Sequence, residues 1–227
     1  VAVLEELTGK ACQFCPDGHR IANEISAANP GKVILVNIHA GGYANGTPNF
    51  KTPAGDAIDA FFAPAGYPTG SVQRTPLTGT ALATSRGSWA SQVSTVLGQD
   101  SPANVAMSAK IDADTRILTV KVEIFYTEAQ AAGTKHYLNV GMLQDGLTST
   151  QSGASANPSA VLPNGQYEHT HMFRGYVSTG GTWGDQITAD QTGVITKEYE
   201  FTIPAAINAN TVDISKLSFF AILHKGK

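Results

Sequence analysis

The hydrophobic period of this chain changes once, and that change constrains its fold more than any single motif. Over the first hundred residues, strand-like apolar runs alternate with helical stripes. Val1–Leu7 is apolar and β-competent. Residues 13–28 carry Phe14, Ile21, Ala22, Ile25 and Ala28 at helical spacing, and Asn29-Pro30-Gly31 supplies the breakers that end a helix. Val33–Ile38 is an apolar run suited to a strand buried on both faces. Thr52-Pro53 reads as an N-cap and first helical residue, opening a short helix with Ile58, Phe61 and Phe62. Ser71–Arg74 reads as a short strand and Ser88–Leu97 as a third helix. Strand–helix–strand order of this kind implies an α/β layer with some parallel pairing.

From about residue 104 the period becomes two. Leu118, Val120, Val122, Ile124 and Tyr126 fall on one face of a strand over Arg116–Tyr126. Further strands are predicted at Val105–Ile111, His136–Leu143, Tyr167–Val177, Val194–Ile203 and Leu217–His224, with a shorter one at Gln186–Thr188. Turn signals stand at Asp112-Ala113-Asp114 and Asp190-Gln191-Thr192-Gly193. Residues 144–165, rich in Ser, Gly, Asn and Thr, read as a long exposed loop. The 227 residues suit two domains. The expectation is an α/β domain over 1–103, then an all-β sandwich of immunoglobulin-like size over 104–227.

Charged residues make up only 15% of the chain and the net charge is −3. No phosphate-neutralising surface follows from such a balance, so nucleic acid is not an expected partner. A surface polar through Ser, Thr, Asn, Gln and Gly suits a β-rich extracytoplasmic protein. No run of 18 apolar residues is present to form a membrane-spanning helix. No cofactor is expected. Gly41-Gly42 lacks the following Lys-Ser/Thr of a phosphate loop, and Asp112–Asp114 lacks the glycine and later glutamate of a calcium loop.

The only two cysteines, Cys12 and Cys15, lie between the first strand and the first helix. A thiol there faces unpaired backbone N–H groups and the positive end of the helix dipole, both of which favour thiolate. Cys12 would then attack, and Cys15, one turn along, would close the disulfide and release a bound partner. Pro16 is tolerated because the first turn needs few N–H donors. Two other readings stay open. The pair also suits an inert structural disulfide, or half of a zinc site with His19 four residues beyond Cys15. Haem attachment would need histidine directly after Cys15, where Pro16 stands.

Strand, Cys-x-x-Cys, helix, strand, helix and then Tyr67-Pro68-Thr69 before another strand resembles thioredoxin. The resemblance implies a three-layer domain with a central mixed sheet. It implies that Pro68 is a cis-proline that faces the cysteines and shapes the loop on which a partner peptide docks. It also implies that Glu6, six residues before Cys12, is a buried carboxylate that relays protons. Ala11 stands where thioredoxin has tryptophan, Gln13-Phe14 replaces Gly-Pro, and the first strand and helix of full thioredoxin are missing.

A closer resemblance covers nearly the whole chain. Val3–Gly9, Cys12-x-x-Cys15-Pro16-Asp17-Gly18-His19, Val36–Gly41, Tyr67–Arg74 and Tyr167-Glu168-His169-Thr170-His171 are similar to the outer-membrane protein twenty-eight lipoproteins of Bacteroidetes-type bacteria. That implies a thioredoxin-like domain followed by a β-sandwich, held at the outer membrane by a lipid on a cysteine upstream of Val1. The chain opens on a strand already under way, as expected if a leader precedes it.

His169 and His171 lie two apart on a predicted strand, so both would project from one face with Cα atoms about 6.5–7 Å apart. That spacing suits two ligands of one metal, and equally two polar residues on a solvated face. His39 ends the buried strand near the edge where such sheets place their sites. The preferred expectation is an extracytoplasmic lipoprotein exchanging disulfides with a protein or peptide partner through Cys12, Cys15, Pro68 and Glu6. The alternative is a non-enzymatic binding or adhesion lipoprotein whose disulfide only braces the helix start.

Overall fold

The computed structural model describes residues 1–77, 79–131, 133–188 and 193–225. Its contacts divide the chain into two compact units. One comprises Val1–Gln99, Gln144–Phe173 and Asn208–Asn210; the other comprises Asp100–Leu143, Arg174–Ile207 and Thr211–Lys227. The sequence places everything after residue 103 in a second domain, whereas the chain returns to the first unit for thirty residues.

In the first unit, β1 (Ala2–Thr8) pairs in parallel with β2 (Val33–His39) after the crossover helix α1 (Cys15–Ala28). After α2 (Pro53–Phe62), β3 (Thr69–Val72) runs antiparallel on the other side of β1 and pairs with β4 (Thr84–Ser85), which leads to α3 (Trp89–Leu97). The result is a mixed sheet with β1 at its centre. A central strand is buried on both faces, which is why β1 and β2 read as runs rather than as alternations. Ala2 and Leu4 point to the side where α1 and α3 pack, joining Ala22, Ile25, Trp89, Val93 and Val96 in one cluster. The α2 helix opens as its sequence predicts, with the Thr52 hydroxyl accepting from the Gly55 amide at 3.0 Å. Its Gly55 approaches β2 so closely that a Cβ would lie 2.9 Å from the Ile38 side chain.

Three expectations are corrected here. The strand at Ser71–Arg74 is shifted to Thr69–Val72, because Gln73 and Arg74 turn back with φ of 60° and 49°. Residues 144–165 are not an exposed loop. Ser149, Gln151 and Asn157 are buried, β8 (Leu147–Ser149) pairs with β9 (Tyr167–His169), and two short 3-10 turns lie between them. Their side-chain amides and hydroxyls bond inward, which a polar composition does not reveal. The strand over Tyr167–Val177 is two strands, β9 and β10 (Met172–Tyr176), broken at Thr170-His171, where His171 takes a φ of 52°.

The second unit follows the period-two reading closely. β5 (Ala103–Ile111), β6 (Ile117–Tyr126) and β12 (Val194–Thr202) form a three-stranded antiparallel sheet with β6 in the middle. The hairpin turn is held by Asp112, whose Oδ1 accepts from the Asp114 and Thr115 amides. The β7 strand (Lys135–Gln144) pairs with β11 (Asp185–Thr188) and with β15 (Leu217–His224); β13 (Ala206–Ile207) and β14 (Asn210–Thr211) are two-residue strands. Leu118, Val120, Val122 and Ile124, all 0% exposed, meet Leu138, Val140, Met142 and Ile187 in one apolar core. Of the turn expected at Asp190–Gly193, only Gly193 is among the described residues.

Candidate functional site

Cys12 and Cys15 are joined by a disulfide, and both sulfur-bearing residues are buried, at 2% and 0% exposure. The loop from Gly9 to Cys15 is wound tightly, with the Cys12 amide donating to the Gly9 carbonyl and the Cys15 amide to that of Cys12. Gly9 cannot carry a side chain, since a Cβ would lie 2.5 Å from the Tyr43 backbone. Cys15 is the first residue of α1 and Pro16 occupies its first turn, while Cys12 stands three residues earlier. Between them Phe14 is exposed, with the Arg86 guanidinium 6.0 Å from its ring centre.

A segment of the 144–173 excursion lies across this loop. Gln151 Nε2 donates to the carbonyls of Cys12 (3.0 Å) and Gly9 (3.3 Å), and the Ser152 amide donates to the Lys10 carbonyl at 2.9 Å. Gly153, with a φ of 70°, presses against Gln13, whose carbonyl oxygen a Cβ would strike. This strap explains the low exposure of Cys12. Gln151 and Gly153 carry no recognisable motif, and the sequence reading missed them.

Two neighbouring glutamates on β1 face opposite ways and have opposite fates. Glu5 is buried against Arg74, which donates from both Nε and Nη2 to its carboxylate at 2.7 and 2.6 Å. Glu6 is 0% exposed, and neither of its oxygens makes a hydrogen bond among the described residues. Burial therefore pushes its carboxyl well above the usual carboxylate range, with the charge of Arg86 opposing in part. Glu6 lies beneath the first turn of α1. A Cβ on Gly18 would lie 2.5 Å from Glu6 Oε1 and 2.9 Å from the Pro68 ring, so only glycine fits there. The Tyr67-Pro68 peptide is cis. Glu6, Gly18 and Pro68 thus meet at one point on α1, one turn after Cys15.

From Glu6 a line of polar side chains runs to a cavity. His19 Nε2 lies 3.8 Å from Glu6 Oε1 and shares a 2.8 Å hydrogen bond with Thr8 Oγ1. Its Nδ1 shares another of 2.8 Å with the Tyr167 hydroxyl, which also accepts from Asn157 Nδ2 at 2.9 Å. Burial pulls His19 down to about 4 and pushes Tyr167 up to about 12, so both are neutral near pH 7. His19, Asn37, His39, Asn157, Tyr167 and His169 are among the residues lining a cavity of about 120 Å³, with exposed Asn23 and Ser159 at its edge. His39 and His169 meet edge to face with ring centres 5.0 Å apart, and both touch Phe50. His169 Nε2 bonds to the Ser149 hydroxyl at 2.8 Å; its pKa falls to about 3 through burial, then through His19 and Lys10.

The pairing expected of His169 and His171 does not form. The break at Thr170 ends the strand between them, leaving His169 buried in the cavity wall, while the His171 amide donates to Asp145. Among the described residues, no three His, Cys, Asp or Glu side chains are placed to hold a metal ion, and both ring nitrogens of His19 are engaged by Thr8 and Tyr167. Sequence spacing could not couple His19 to Tyr167, which is 148 positions away.

The family model described as outer membrane protein Omp28 matches residues 55–219. That stretch includes Pro68, Gln151, Tyr167 and His169; the cysteines, Glu6 and His19 lie before it. Among solved structures, HBP35 of Porphyromonas gingivalis is similar at a TM-score of 0.75 and 22% identity, covering 98% of this chain and 68% of that one. A crystal structure of a protein from Agrobacterium tumefaciens is similar at a TM-score of 0.54 and 13% identity, covering 96% of this chain and 92% of that one. No curated protein matches this chain. No helix among the described residues is long and apolar enough to cross a membrane.

Proposed function

Because this chain belongs to the outer membrane protein Omp28 family and is associated with the outer membrane outside the cytoplasm, we propose that it exchanges disulfides there with a protein or peptide partner. The reading gives it a thioredoxin-like first unit, an immunoglobulin-like second unit and a lipid anchor upstream of Val1. One observation carries the activity: a Cys12–Cys15 disulfide at the start of α1, with the buried, unpaired Glu6 and Pro68 gathered at Gly18 one turn further on. The parallel β1–α1–β2 unit and the antiparallel β3 after Pro68 support the thioredoxin-like assignment.

In the reduced protein, the Cys12 thiolate attacks a partner disulfide, forming a mixed disulfide and expelling one partner thiolate. Glu6 takes the Cys15 proton. The Cys15 thiolate then attacks Cys12 Sγ, closes the intramolecular disulfide and expels the second partner thiolate. Each expelled thiolate takes a proton from solvent, so two thiols of this protein become one disulfide while one partner disulfide becomes two thiols. The test is to mix the reduced chain with oxidised glutathione and follow thiol release. Wild type should react and Cys12→Ser should not complete the cycle; equal behaviour of the two defeats the reading.

The strap over Cys12 favours a second reading, in which the disulfide braces the loop and does not turn over. Its mark would be a reduction potential far below that of the compartment, with no measurable exchange.

A further inference from the structure

We propose that His19, together with Tyr167, carries protons between Glu6 and the cavity that opens at Asn23 and Ser159. The proposal rests on the exchange reading above for its purpose. Its geometry stands apart from that reading.

A carboxyl group that serves as a proton acceptor must also return its proton to solvent. Glu6 has no exposed surface and no hydrogen-bonded neighbour among the described residues. The groups that face it are His19, Arg86 and, through its field, Tyr167. Arg86 is engaged with Asp17 and stays protonated near neutral pH, so it does not pass a proton on. Imidazole differs, because it can accept on one nitrogen while releasing from the other. His19 has its Nε2 on the Glu6 side, 3.8 Å from Oε1, and its Nδ1 on the Tyr167 hydroxyl. That hydroxyl is in the cavity wall and its second partner, Asn157, is too. His19 faces Thr8, Glu6, Tyr167 and His169, none of them a resident cation that would repel an incoming proton at neutral pH.

The step balances simply. After Glu6 has taken the Cys15 proton, it passes that proton to His19 Nε2. His19 Nδ1 releases its own proton through the Tyr167 hydroxyl to water in the cavity, which leaves the neutral ring protonated on Nε2. The Glu6 carboxylate is regenerated, and the first tautomer returns when a partner dithiol reduces the Cys12–Cys15 disulfide. Nε2 then gives its proton back through Glu6 to the Cys15 thiolate while Nδ1 takes one from cavity water through Tyr167. His19 acts through Glu6 and touches no substrate, so it is a positioning residue for the chemistry rather than a catalytic one.

The test reads the Glu6 proton directly. On transfer of the intact oxidised chain into acidic D2O, where Glu6 carries its proton, the carboxylic C=O stretch of Glu6, identified by its loss in Glu6→Gln, shifts as the proton is replaced. Replacement should slow by about tenfold or more in His19→Ala, by less in Tyr167→Phe, and not at all in Asn23→Ala at the cavity edge. Free imidazole should restore the rate in His19→Ala, a recovery that a purely structural role would not show. Tyr167→Phe removes only a hydroxyl and keeps the test alive if His19→Ala fails to fold. Unchanged replacement in both variants overturns the relay, as does slowing by Asn23→Ala equal to theirs. Failure of the exchange reading looks different: wild type is as inert toward oxidised glutathione as Cys12→Ser, while Glu6 proton replacement still depends on His19.

Discussion

Beneath α1 the first unit buries Glu6, His19, His39, Tyr167 and His169, whereas the core of the second unit is Leu, Val, Ile and Met with the ring of Tyr199. The two interiors obey different constraints. The apolar core gains from every side chain it removes from water. The polar interior contains a carboxyl group with no hydrogen bond among the described residues, which costs stability, so its persistence calls for a chemical explanation and not a folding one. The two glutamates of β1 show the same contrast within one strand. Glu5 is compensated by Arg74 and braces the fold, while Glu6 is left uncompensated beside the cysteine helix.

The sharpest way to break this contrast is to exchange the two materials. Val122→Asp puts an unpaired carboxylate into the second unit and should cost roughly 3–5 kcal/mol by chemical denaturation. Arg74→Ala strands Glu5 and should cost about the same. Glu6→Leu should do the reverse and stabilise by about 1–3 kcal/mol, since it removes an unsatisfied group. If Glu6→Leu proves as damaging as Val122→Asp, Glu6 is part of the framework and the contrast collapses.

The same difference decides what the sequence could reveal. The second unit was legible because its inner face repeats every second residue, and β6 appears in the structure almost as the alternation of Leu118, Val120, Val122 and Ile124 draws it. The β1–α1–β2 start was legible because burial on both faces leaves apolar runs. The Cys pair and Glu6 could be placed from local spacing and resemblance. Gln151, Asn157 and Tyr167 could not, because their roles depend on a return of the chain from residues 144–173 that composition presents as a loop. His169 and His171 misled for a related reason: a positive φ at one residue cancels a period-two argument, and no side-chain pattern announces it.

A second prediction uses pH to sharpen the comparison. A histidine with a folded pKa below its unfolded value stabilises fully above that unfolded value and loses the contribution as pH falls. For His19 the loss runs from about 6.5 down to about 4, and for His169 from about 6.5 down to about 3. Glu6 has the opposite sign. Its raised folded pKa gives a contribution that is full below 4.5 and lost as pH rises toward the folded value. Between 4.5 and 6.5 the two histidines therefore stabilise with rising pH while Glu6 acts in the opposite direction. Glu6→Gln should steepen the rise of stability with pH, and His169→Gln should flatten it, both read from denaturation midpoints across the window. The second unit contributes with the sign of these histidines through His136, which is buried and held below its usual pKa by burial and then by Lys225, although its apolar core cluster contains no carboxylate or histidine.

The smallest effect concerns access, and it separates the two functional readings. Gln151 holds the strap against the carbonyls of Gly9 and Cys12. If the disulfide turns over, the strap must leave for a partner sulfur to reach Cys12, and the cost of leaving is part of the barrier. Removing hydrogen bonding worth about 1 kcal/mol in Gln151→Ala should then speed reduction by a small phosphine by about fivefold. Gly153→Ala should act in the same direction, because its Cβ cannot coexist with the Gln13 carbonyl. A purely bracing disulfide gives another pattern. Reduction would then wait on unfolding of the unit, and its rate would follow the stability of every variant in the first unit. Arg74→Ala would accelerate it far more than Gln151→Ala, although Arg74 lies on the opposite face of β1 from α1. The ranking of those two rates distinguishes local opening at the strap from global opening of the fold.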